Sequence, residues 1–381
     1  MKRTLTLVLL CYLTGSFGVH AQDASKPAAP SFPQPQLALR VPFEPTAFPS
    51  DGRTYLAYEV HFTNFSGEPM TLGRIDVLNA DGSADKPVAT LEGESLAGVL
   101  QTIGVSPRPG SNSNPADIAA GTTVVAYMWI PFEAGTVVPA KLRHRVMASG
   151  TPLEGANIVT HHSKLRVLGA PLEGGIWTAS DGPSNDKDNH HRRGLVVQDA
   201  APVISRRYAT DWLQEKDSAS FSGNSREAKA YYAYGKSVLA VANGKVINTR
   251  NDLPDNTPGH GRDFRPAVPT TLDTLGGNTV TLDIGDGQYV YYFHLAPGSV
   301  RVKPGDRVRR GQVLGQIGCS GDAREPHLHF EITTSPWVLA GEGVPYVIDS
   351  YRAKVGDGPW QTRTGELPLR NMLVEFRPSG R

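Results

Sequence analysis

The sequence predicts a mostly β protein built from two domains. Its 381 residues are 39% hydrophobic, which is enough for about two domain cores. Glycine and proline are abundant, at 40 and 30 residues, and both are typical of turns between short strands. Apolar and polar residues alternate along several segments, whereas long segments with helical periodicity are few. These three observations favour strands joined by turns.

The first 21 residues predict a secretory signal peptide. Lys2 and Arg3 precede an apolar run over residues 5–13, and a small-residue cleavage pattern ends at Ala21. We therefore expect export to the periplasm or the extracellular space. Residues 22–36, which are rich in Ala, Pro and Ser, are expected to be an unstructured linker.

Cleavage after Ala21 would change the cysteine content and the charge. Cys11 would be lost, and Cys319 would remain without a disulfide partner, most simply as a packed small residue. Lipidation of Cys11 is the alternative, although the residues before it lack the expected small side chain. Loss of Lys2 and Arg3 would change the formal charge from +1 to −1, so nucleic acid is not an expected partner. No later segment approaches the roughly 20 apolar residues of a transmembrane helix, so none is expected in the mature chain.

Residues 37–169 predict an immunoglobulin-like β-sandwich that serves as an accessory domain. Residues 124–130 are almost continuously apolar, as expected of a strand covered on both faces. Residues 56–63 alternate instead, and short strands separated by Gly, Asn and Pro turns are typical of such a sandwich. Such a domain would position the second domain or bind a partner, which the sequence does not identify. One face of the alternating strand would carry Leu56, Tyr58, Val60 and Phe62, and the other face Ala57, Glu59, His61 and Thr63.

A hinge that contains Gly and Pro predicts a domain boundary near Ala170, with residues 170–381 forming the second domain. Within this domain, the dipeptide Asn243-Gly244 and the Gly-Asp-Gly turn around Asp286 each predict a β-hairpin. Residues 211–230 have no clear apolar period, and we expect them to form an exposed excursion.

Three histidines give the strongest chemical signal. His327 and His329 lie two apart in the apolar segment EPHLHFEI, and residues two apart on a strand point to the same face. His294 ends another predicted strand, residues 288–294. One imidazole of such a set can bind a metal while another handles a proton or an oxyanion. The pattern therefore predicts a site for metal-assisted hydrolysis.

The motifs that contain these histidines resemble those of the lysostaphin-type zinc metalloendopeptidases, which cleave the peptide cross-links of bacterial cell wall. The similar segments are YFHL at residues 292–295, VKPGDRVRRGQVLGQIG at residues 302–318 and SGDAREPHLHFEI at residues 320–332. GKSVLAVANGKV at residues 235–246 is similar to the segment that follows the family's metal-binding aspartate. The resemblance spans roughly residues 174–346 and implies an antiparallel β-sheet domain with the family's duplicated hybrid motif.

The resemblance also implies roles for individual residues. It assigns His329 and Asp211 to a Zn²⁺ ion. It assigns His327 to activating or orienting the water and His294 to stabilising the oxyanion. The family's remaining histidine ligand lies four residues before the aspartate, and this position is Arg207 here. Because a guanidinium has no acceptor atom, Arg207 cannot ligate zinc, so the third ligand comes from elsewhere or the site is degenerate.

His190 and His191 are the candidates for the third ligand. If residues 194–197 and 201–205 form a hairpin, the chain before it runs back beside Asp211. A two-residue turn places His190 on the face of Asp211 and a turn one residue longer places His191 there, so the register stays open. We favour His191, because the His-Arg-Arg run before the strand resembles a variant in some relatives whose aspartate motif is similar to RRYATDW. The alternative is that the pair is only a polar strand entrance.

The sequence thus predicts an exported zinc metalloendopeptidase that hydrolyses peptide cross-links of peptidoglycan with a metal-activated water. The expected ligands are His191, Asp211 and His329, and the long loop 252–275 could border the substrate groove. A second hypothesis is a catalytically degenerate module that binds or activates another cell-wall hydrolase. A third is a biotinyl or lipoyl carrier domain, although its nearest lysine, Lys303, is wrongly placed for the modified hairpin. Metal content separates the first two hypotheses, and mass spectrometry of the lysine tests the third.

Overall fold

The computed structural model describes residues 35–82, 86–104 and 114–376. The predicted signal peptide and nearly all of the predicted linker lie outside these ranges. The chain from Pro35 onward forms one compact unit. Strands predominate in it, so the prediction of a mostly β fold is confirmed. No helix in the described part of the chain is long and apolar enough to cross a membrane.

Two antiparallel sheets make up the N-terminal part. Their strands are β1 (Leu37–Arg40), β2 (Phe48–Ser50), β3 (Arg53–Asn64), β4 (Met70–Asn79), β5 (Ala89–Glu92), β6 (Leu100–Thr102), β7 (Asp117–Ile118), β8 (Thr123–Phe132), β9 (Lys141–Ala148) and β10 (Thr151–Val159), and the helix α1 (Gly93–Val99) precedes β6. The first sheet has the order β1-β3-β8-β6, with β2 paired to β3. The second has the order β10-β9-β4-β5, with β7 paired to β4.

An apolar core lies between these two sheets. The even-numbered residues of β3 from 56 to 62 are fully buried, in one cluster with residues of β4, β8 and β9. The alternation predicted for β3 and the near-continuous burial predicted for β8 are therefore confirmed. The immunoglobulin-like assignment of this sandwich remains a prediction. The opposite face of β3 is also covered, because Ala57 and Glu59 are 1% and 3% exposed.

A long antiparallel sheet organises the rest of the described chain. Its strands are β12 (Trp177–Ser180), β15 (Thr210–Gln214), β17 (Gly244–Arg250), β18 (Asn278–Asp283), β19 (Tyr289–Leu295), β20 (Arg307–Val308), β22 (Leu328–Thr333), β24 (Tyr351–Lys354), β25 (Gln361–Arg363) and β26 (Leu373–Phe376). The order is β20-β17-β18-β19-β22-β15-β12-β26-β24-β25. Among the described residues, three two-stranded sheets lie outside this sheet. They pair β11 (Arg166–Leu168) with β23 (Tyr346–Ile348), β13 (Val196–Gln198) with β14 (Ala201–Val203), and β16 (Ser237–Leu239) with β21 (Val313–Gln316). Short 3-10 helices occupy Ala228–Ala230 and Gly261–Asp263.

Strand β15 corrects the expectation of an exposed excursion over residues 211–230 for its first four residues, whereas residues 215–230 are largely exposed as expected. Thr210–Gln214 lies inside the long sheet, between β12 and β22. The Trp212 side chain is fully buried, and its ring meets that of Phe376 at 5.2 Å. Five residues are too few to display a periodicity, so the burial of this strand follows from its long-range partners.

One predicted hairpin is wrong and one is confirmed. Strands β18 and β19 pair on either side of Asp286, as predicted. At Asn243-Gly244 no hairpin forms, because β16 pairs with β21, and β17 pairs with β18 and β20. The Asn243 carboxamide oxygen instead accepts the backbone N–H of Arg310 at 2.9 Å. Turn propensity is a local preference, and the extensive pairing of β17 with β18 outweighs it here.

A second large apolar cluster joins the N-terminal sandwich to the long sheet. It contains Phe48, Tyr55 and Ala57 together with residues of the long sheet. The Phe48 side chain is fully buried, and its ring meets that of Tyr208 edge-on at a centroid distance of 5.4 Å. We propose the division near Ala170 as the boundary between two modules that share this apolar contact.

The shared cluster makes a testable contribution to stability. Replacing Phe48 with alanine removes a fully buried ring and leaves a cavity beside Tyr55 and Tyr208. We expect the free energy of unfolding to fall by about 3–5 kcal/mol in denaturant titrations. The matched control is Phe65→Ala, because the Phe65 side chain is 71% exposed, and its expected effect stays within about 0.5 kcal/mol. Equal effects of the two variants would contradict the shared core.

Candidate metal centre

A polar cavity of about 380 Å³ opens at the middle of the long sheet. Its lining includes residues of β15, β19 and β22 and of the loops that precede β15 and β22. The predicted site residues are gathered here, together with residues of the long loop 252–275. The cavity is lined by Ser180, Asp181, His190, His191, Arg206, Asp211, Leu213, His260, Leu275, Phe293, His294, Asp322, Arg324, Glu325, His327, His329 and Leu339.

Asp211 is the centre of the cluster. Antiparallel pairing of β15 with β22 sets Asp211 directly opposite His329. The Asp211 Oδ1 atom lies 2.8 Å from His329 Nδ1 and 3.5 Å from His327 Nε2. The Asp211 Oδ2 atom lies 3.6 Å from His191 Nε2. One carboxylate therefore faces three imidazoles, two from one strand region and one from a distant loop.

Backbone carbonyls fix which nitrogen of three imidazoles carries the proton. His191 Nδ1 donates to the Asp181 carbonyl at 2.9 Å, and His327 Nδ1 donates to the Glu325 carbonyl at 2.7 Å. His294 Nδ1 donates to the Ser320 carbonyl at 2.9 Å. Because a carbonyl oxygen only accepts, the proton of each neutral ring is held on Nδ1. The Nε2 atoms are left free for chemistry.

The charge state of His191 indicates a site for a cation. Burial lowers the pKa of His191 well below its ordinary value, although Asp211 opposes this shift. A neutral ring with its proton on Nδ1 directs the Nε2 lone pair at an Asp211 carboxylate oxygen 3.6 Å away. Two acceptors this close repel each other, and a cation bound by both would remove the repulsion. A neutral imidazole and a carboxylate are donors that Zn²⁺ prefers.

His329 has a second carboxylate behind it. Burial alone would lower its pKa, but the hydrogen bond to Asp211 and the nearby Glu331 raise the pKa of His329 to about 9. Its Nε2 atom is buried without a hydrogen-bond partner and lies 3.7 Å from a Glu331 carboxylate oxygen. Glu331 is itself buried. A carboxylate in this place orients a ligating imidazole and increases its basicity.

Glu331 is a site residue that the sequence reasoning missed. The signal was present, because His327, His329 and Glu331 are spaced two apart and therefore share one face of β22. A buried glutamate on an otherwise apolar strand needs a partner, and the histidine beside it supplies one.

His190 and His191 both approach Asp211. Ligand atoms of His190, His191 and Asp211 all lie within 4.8 Å of one another. The His190 side chain is 53% exposed, and its Nδ1 is 3.5 Å from Asp181 Oδ2. The His191 side chain is 2% exposed, with its Nε2 directed at Asp211. Both candidates therefore belong to the cluster, and His191 is the one buried in it.

The hairpin argument for choosing between the two histidines does not apply. Strands β13 and β14 do pair around a two-residue turn, since Gln198 is paired with Ala201. Residues 189–194, however, form hydrogen-bonded turns and not a strand. The Arg193 N–H donates to the Asn189 carbonyl at 3.0 Å. Face alternation is a property of strands, so it cannot be counted through these turns.

Arg207 occupies the position where the family resemblance implies a histidine ligand, and its side chain contacts two carboxylates other than Asp211. Its guanidinium donates to Glu59 Oε2 at 2.6 Å and to Glu342 Oε2 at 2.7 Å. All three side chains are largely buried. Arg207 is therefore part of an ion-pair cluster beside the site.

His294 and Cys319 have different relations to the centre. The His294 ring is buried, its centroid is 4.8 Å from that of His327, and its backbone φ of +64° is unusual for a residue other than glycine. Burial lowers the pKa of His294 well below its ordinary value. Cys319 is a buried free cysteine whose thiol donates to the Ala323 carbonyl at 3.6 Å. This contact agrees with the packed, structural interpretation of Cys319.

Comparisons with known proteins match the part of the chain that contains the histidine motifs. Residues 228–340 match the pattern of Peptidase family M23. The chain is 31% identical over 132 residues to glycyl-glycine endopeptidase ALE-1 of Staphylococcus capitis, covering 34% of this chain and 35% of that protein. It is 28% identical over 162 residues to lysostaphin of Staphylococcus simulans, covering 40% of this chain and 32% of that protein. The matches thus span about a third of the length of these relatives.

Among solved structures, the catalytic domain of lysostaphin from Staphylococcus simulans is similar to 39% of this chain, with a TM-score of 0.23 and 21% identity, and 80% of that domain is covered. The matched region 228–340 includes His294, His327 and His329. The segment that carries these three histidines matches Peptidase family M23, and the resemblance of this segment to lysostaphin-type peptidases is confirmed.

Proposed function

We propose that this protein is an exported, zinc-dependent endopeptidase that hydrolyses the peptide cross-links of peptidoglycan. The observation that carries the proposal is the convergence of His191, His327 and His329 on one partly buried carboxylate, Asp211. The family of the matched segment supports peptide-bond hydrolysis, and the names of the relatives support a cell-wall substrate. The predicted signal peptide supports export.

The residues proposed to hold Zn²⁺ are His191 through Nε2, Asp211 through its carboxylate and His329 through Nδ1. Each of these two nitrogens faces an oxygen of the Asp211 carboxylate. When bound, zinc lowers the pKa of its water to about 7 and polarises the scissile carbonyl. Three protein donors leave an open position, as a hydrolytic zinc site requires. Behind His329, the buried Glu331 would hold the ring in its orientation.

His294 and His327 are proposed to act on protons and charge at the reacting groups. Both present Nε2 to the cavity, because both hold the Nδ1 proton against a backbone carbonyl. Burial alone would lower the pKa of His327, but the charge and hydrogen bonding of Asp211 raise it, whereas burial keeps His294 neutral. An imidazole with its Nε2 directed at the cavity can take a proton from the attacking water or, once protonated, donate to the developing oxyanion. We propose the first role for His327 and the second for His294, as the family resemblance implies.

The metal-ligand assignment predicts the zinc content of variants. His191→Ala, Asp211→Ala and His329→Ala should each lose most of the bound zinc, because removal of one of three donors leaves too few for a stable site. His190→Ala is the matched control, since it removes the neighbouring, half-exposed imidazole, and it should keep its zinc. Elemental analysis after dialysis against buffered Zn²⁺ gives the comparison. Loss of zinc from His190→Ala with retention by His191→Ala would transfer the ligand role to His190.

The catalytic assignment predicts a different behaviour for His294→Ala and His327→Ala. Both variants should retain zinc while the turnover falls by about 10²–10⁴, because these residues act on protons and charge. Turnover is measured as the release of soluble fragments from purified peptidoglycan, using sacculi with direct and with glycine-bridged cross-links. His162→Ala, which alters a half-exposed histidine of the sandwich, is the control and should keep full activity. If the wild-type chain binds no zinc and releases no fragments, the degenerate-module hypothesis replaces this proposal.

A further inference from the structure

We propose that Glu59, a residue of the N-terminal sandwich, is a positioning residue for the metal centre. Its carboxylate accepts hydrogen bonds from both Arg192 and Arg207. Arg192 follows His191 directly, and Arg207 precedes Asp211 by four residues. One side chain of the sandwich therefore fixes the two segments that supply two of the three proposed ligands. This inference rests on the proposed function, because it needs a metal at that site.

Arg192 attaches the His191 segment to the sandwich. Its side chain is fully buried, and its Nη1 donates to Glu59 Oε1. Its Nη2 donates to the carbonyls of Tyr58 on β3 and Met128 on β8, both at 3.1 Å. The guanidinium thus binds one carboxylate and two strand backbones at once, and this geometry suits arginine and not lysine.

Arg207 attaches the Asp211 segment to the same carboxylate. Its Nε donates to Glu59 Oε1 at 3.2 Å and its Nη2 to Glu59 Oε2 at 2.6 Å, which is a bidentate pair. Its Nη1 donates to the Gly343 carbonyl at 2.9 Å, and Glu342 provides a second carboxylate. The neighbouring Tyr208 hydroxyl donates to the Ala57 carbonyl at 3.1 Å.

The charges of this cluster balance only when Glu59 is ionised. Two buried guanidiniums face two carboxylates, and Glu342 contacts only Arg207 among the cluster arginines. Without the Glu59 charge, Arg192 has no acidic partner in the described structure. A buried unpaired charge is costly, so the Arg192 segment would move toward water.

A movement of Arg192 would be transmitted to His191 over a short, rigid path. The Asn189 carboxamide oxygen accepts the backbone N–H groups of both His191 and Arg192 at 3.0 Å. The Asn189 side chain is buried and its Nδ2 donates to the Gly182 carbonyl at 2.8 Å. The turn therefore moves as one piece, and a ligand atom must be held within about 0.5 Å of its working position.

The test is the zinc affinity of Glu59→Gln in the full chain, measured by competition with a chromophoric chelator. We expect affinity to fall by about 10–100-fold, the range typical of partners that orient metal ligands. The visible absorption of the Co²⁺-loaded protein should also change, because it reports the ligand geometry. Glu59→Asp keeps the charge and should recover part of the affinity. The control is Glu154→Gln, which removes a sandwich carboxylate bound by Arg143 and Arg145 and should change neither readout.

Circular dichroism of the chelator-treated variants establishes that each is folded. Unchanged zinc affinity and Co²⁺ spectrum in folded Glu59→Gln would overturn this inference alone, whereas absence of zinc binding by the wild type would overturn the proposed function. If Glu59→Gln does not fold, Arg192→Lys takes its place. A folded Arg192→Lys variant with wild-type zinc affinity would likewise overturn the positioning role.

Discussion

The antiparallel pairing of β15 with β22 is the constraint on which the centre depends. It sets Asp211 opposite His329 and brings His327, just before β22, to the same carboxylate. Strand β22 also pairs with β19. This pairing holds the end of β19, and with it His294, beside His329. Asp211, His294 and His329 thus derive their positions from hydrogen-bonded strand registers, which tolerate little displacement.

Charge compensation explains which charged side chains lie around the paired strands β15 and β22. A partly buried carboxylate requires positive partners, and the imidazoles around Asp211 supply them as protons or as ligands to a cation. The same need for opposite charges explains a second cluster, in which Arg192 and Arg207, near His191 and Asp211 in the sequence, form ion pairs with Glu59 and Glu342. The molecule therefore has two buried polar clusters side by side. One is directed into the cavity, and the other joins the sandwich to the long sheet.

This arrangement gives a physical account of Arg207. An arginine in place of a ligand would be expected to disrupt a metal site, yet its charge is engaged by Glu59 and Glu342. The third imidazole at Asp211, beside those of His327 and His329, comes instead from His191, on a turn attached to the sandwich through Arg192. The N-terminal sandwich is thus in direct contact with both segments, and its position is linked to that of the centre.

The β class, the alternation of β3 and the group His294, His327 and His329 could be predicted from the sequence, because strand periodicity and a two-residue spacing are local properties. The family resemblance also implied Asp211. The placement of His190 and His191 depends instead on tertiary contacts, since residues 189–194 form turns in which strand alternation does not hold. The contacts of Glu59 could not be predicted from the sequence either. Its partners lie 133 and 148 residues away along the chain, and such contacts follow from packing that no local pattern encodes.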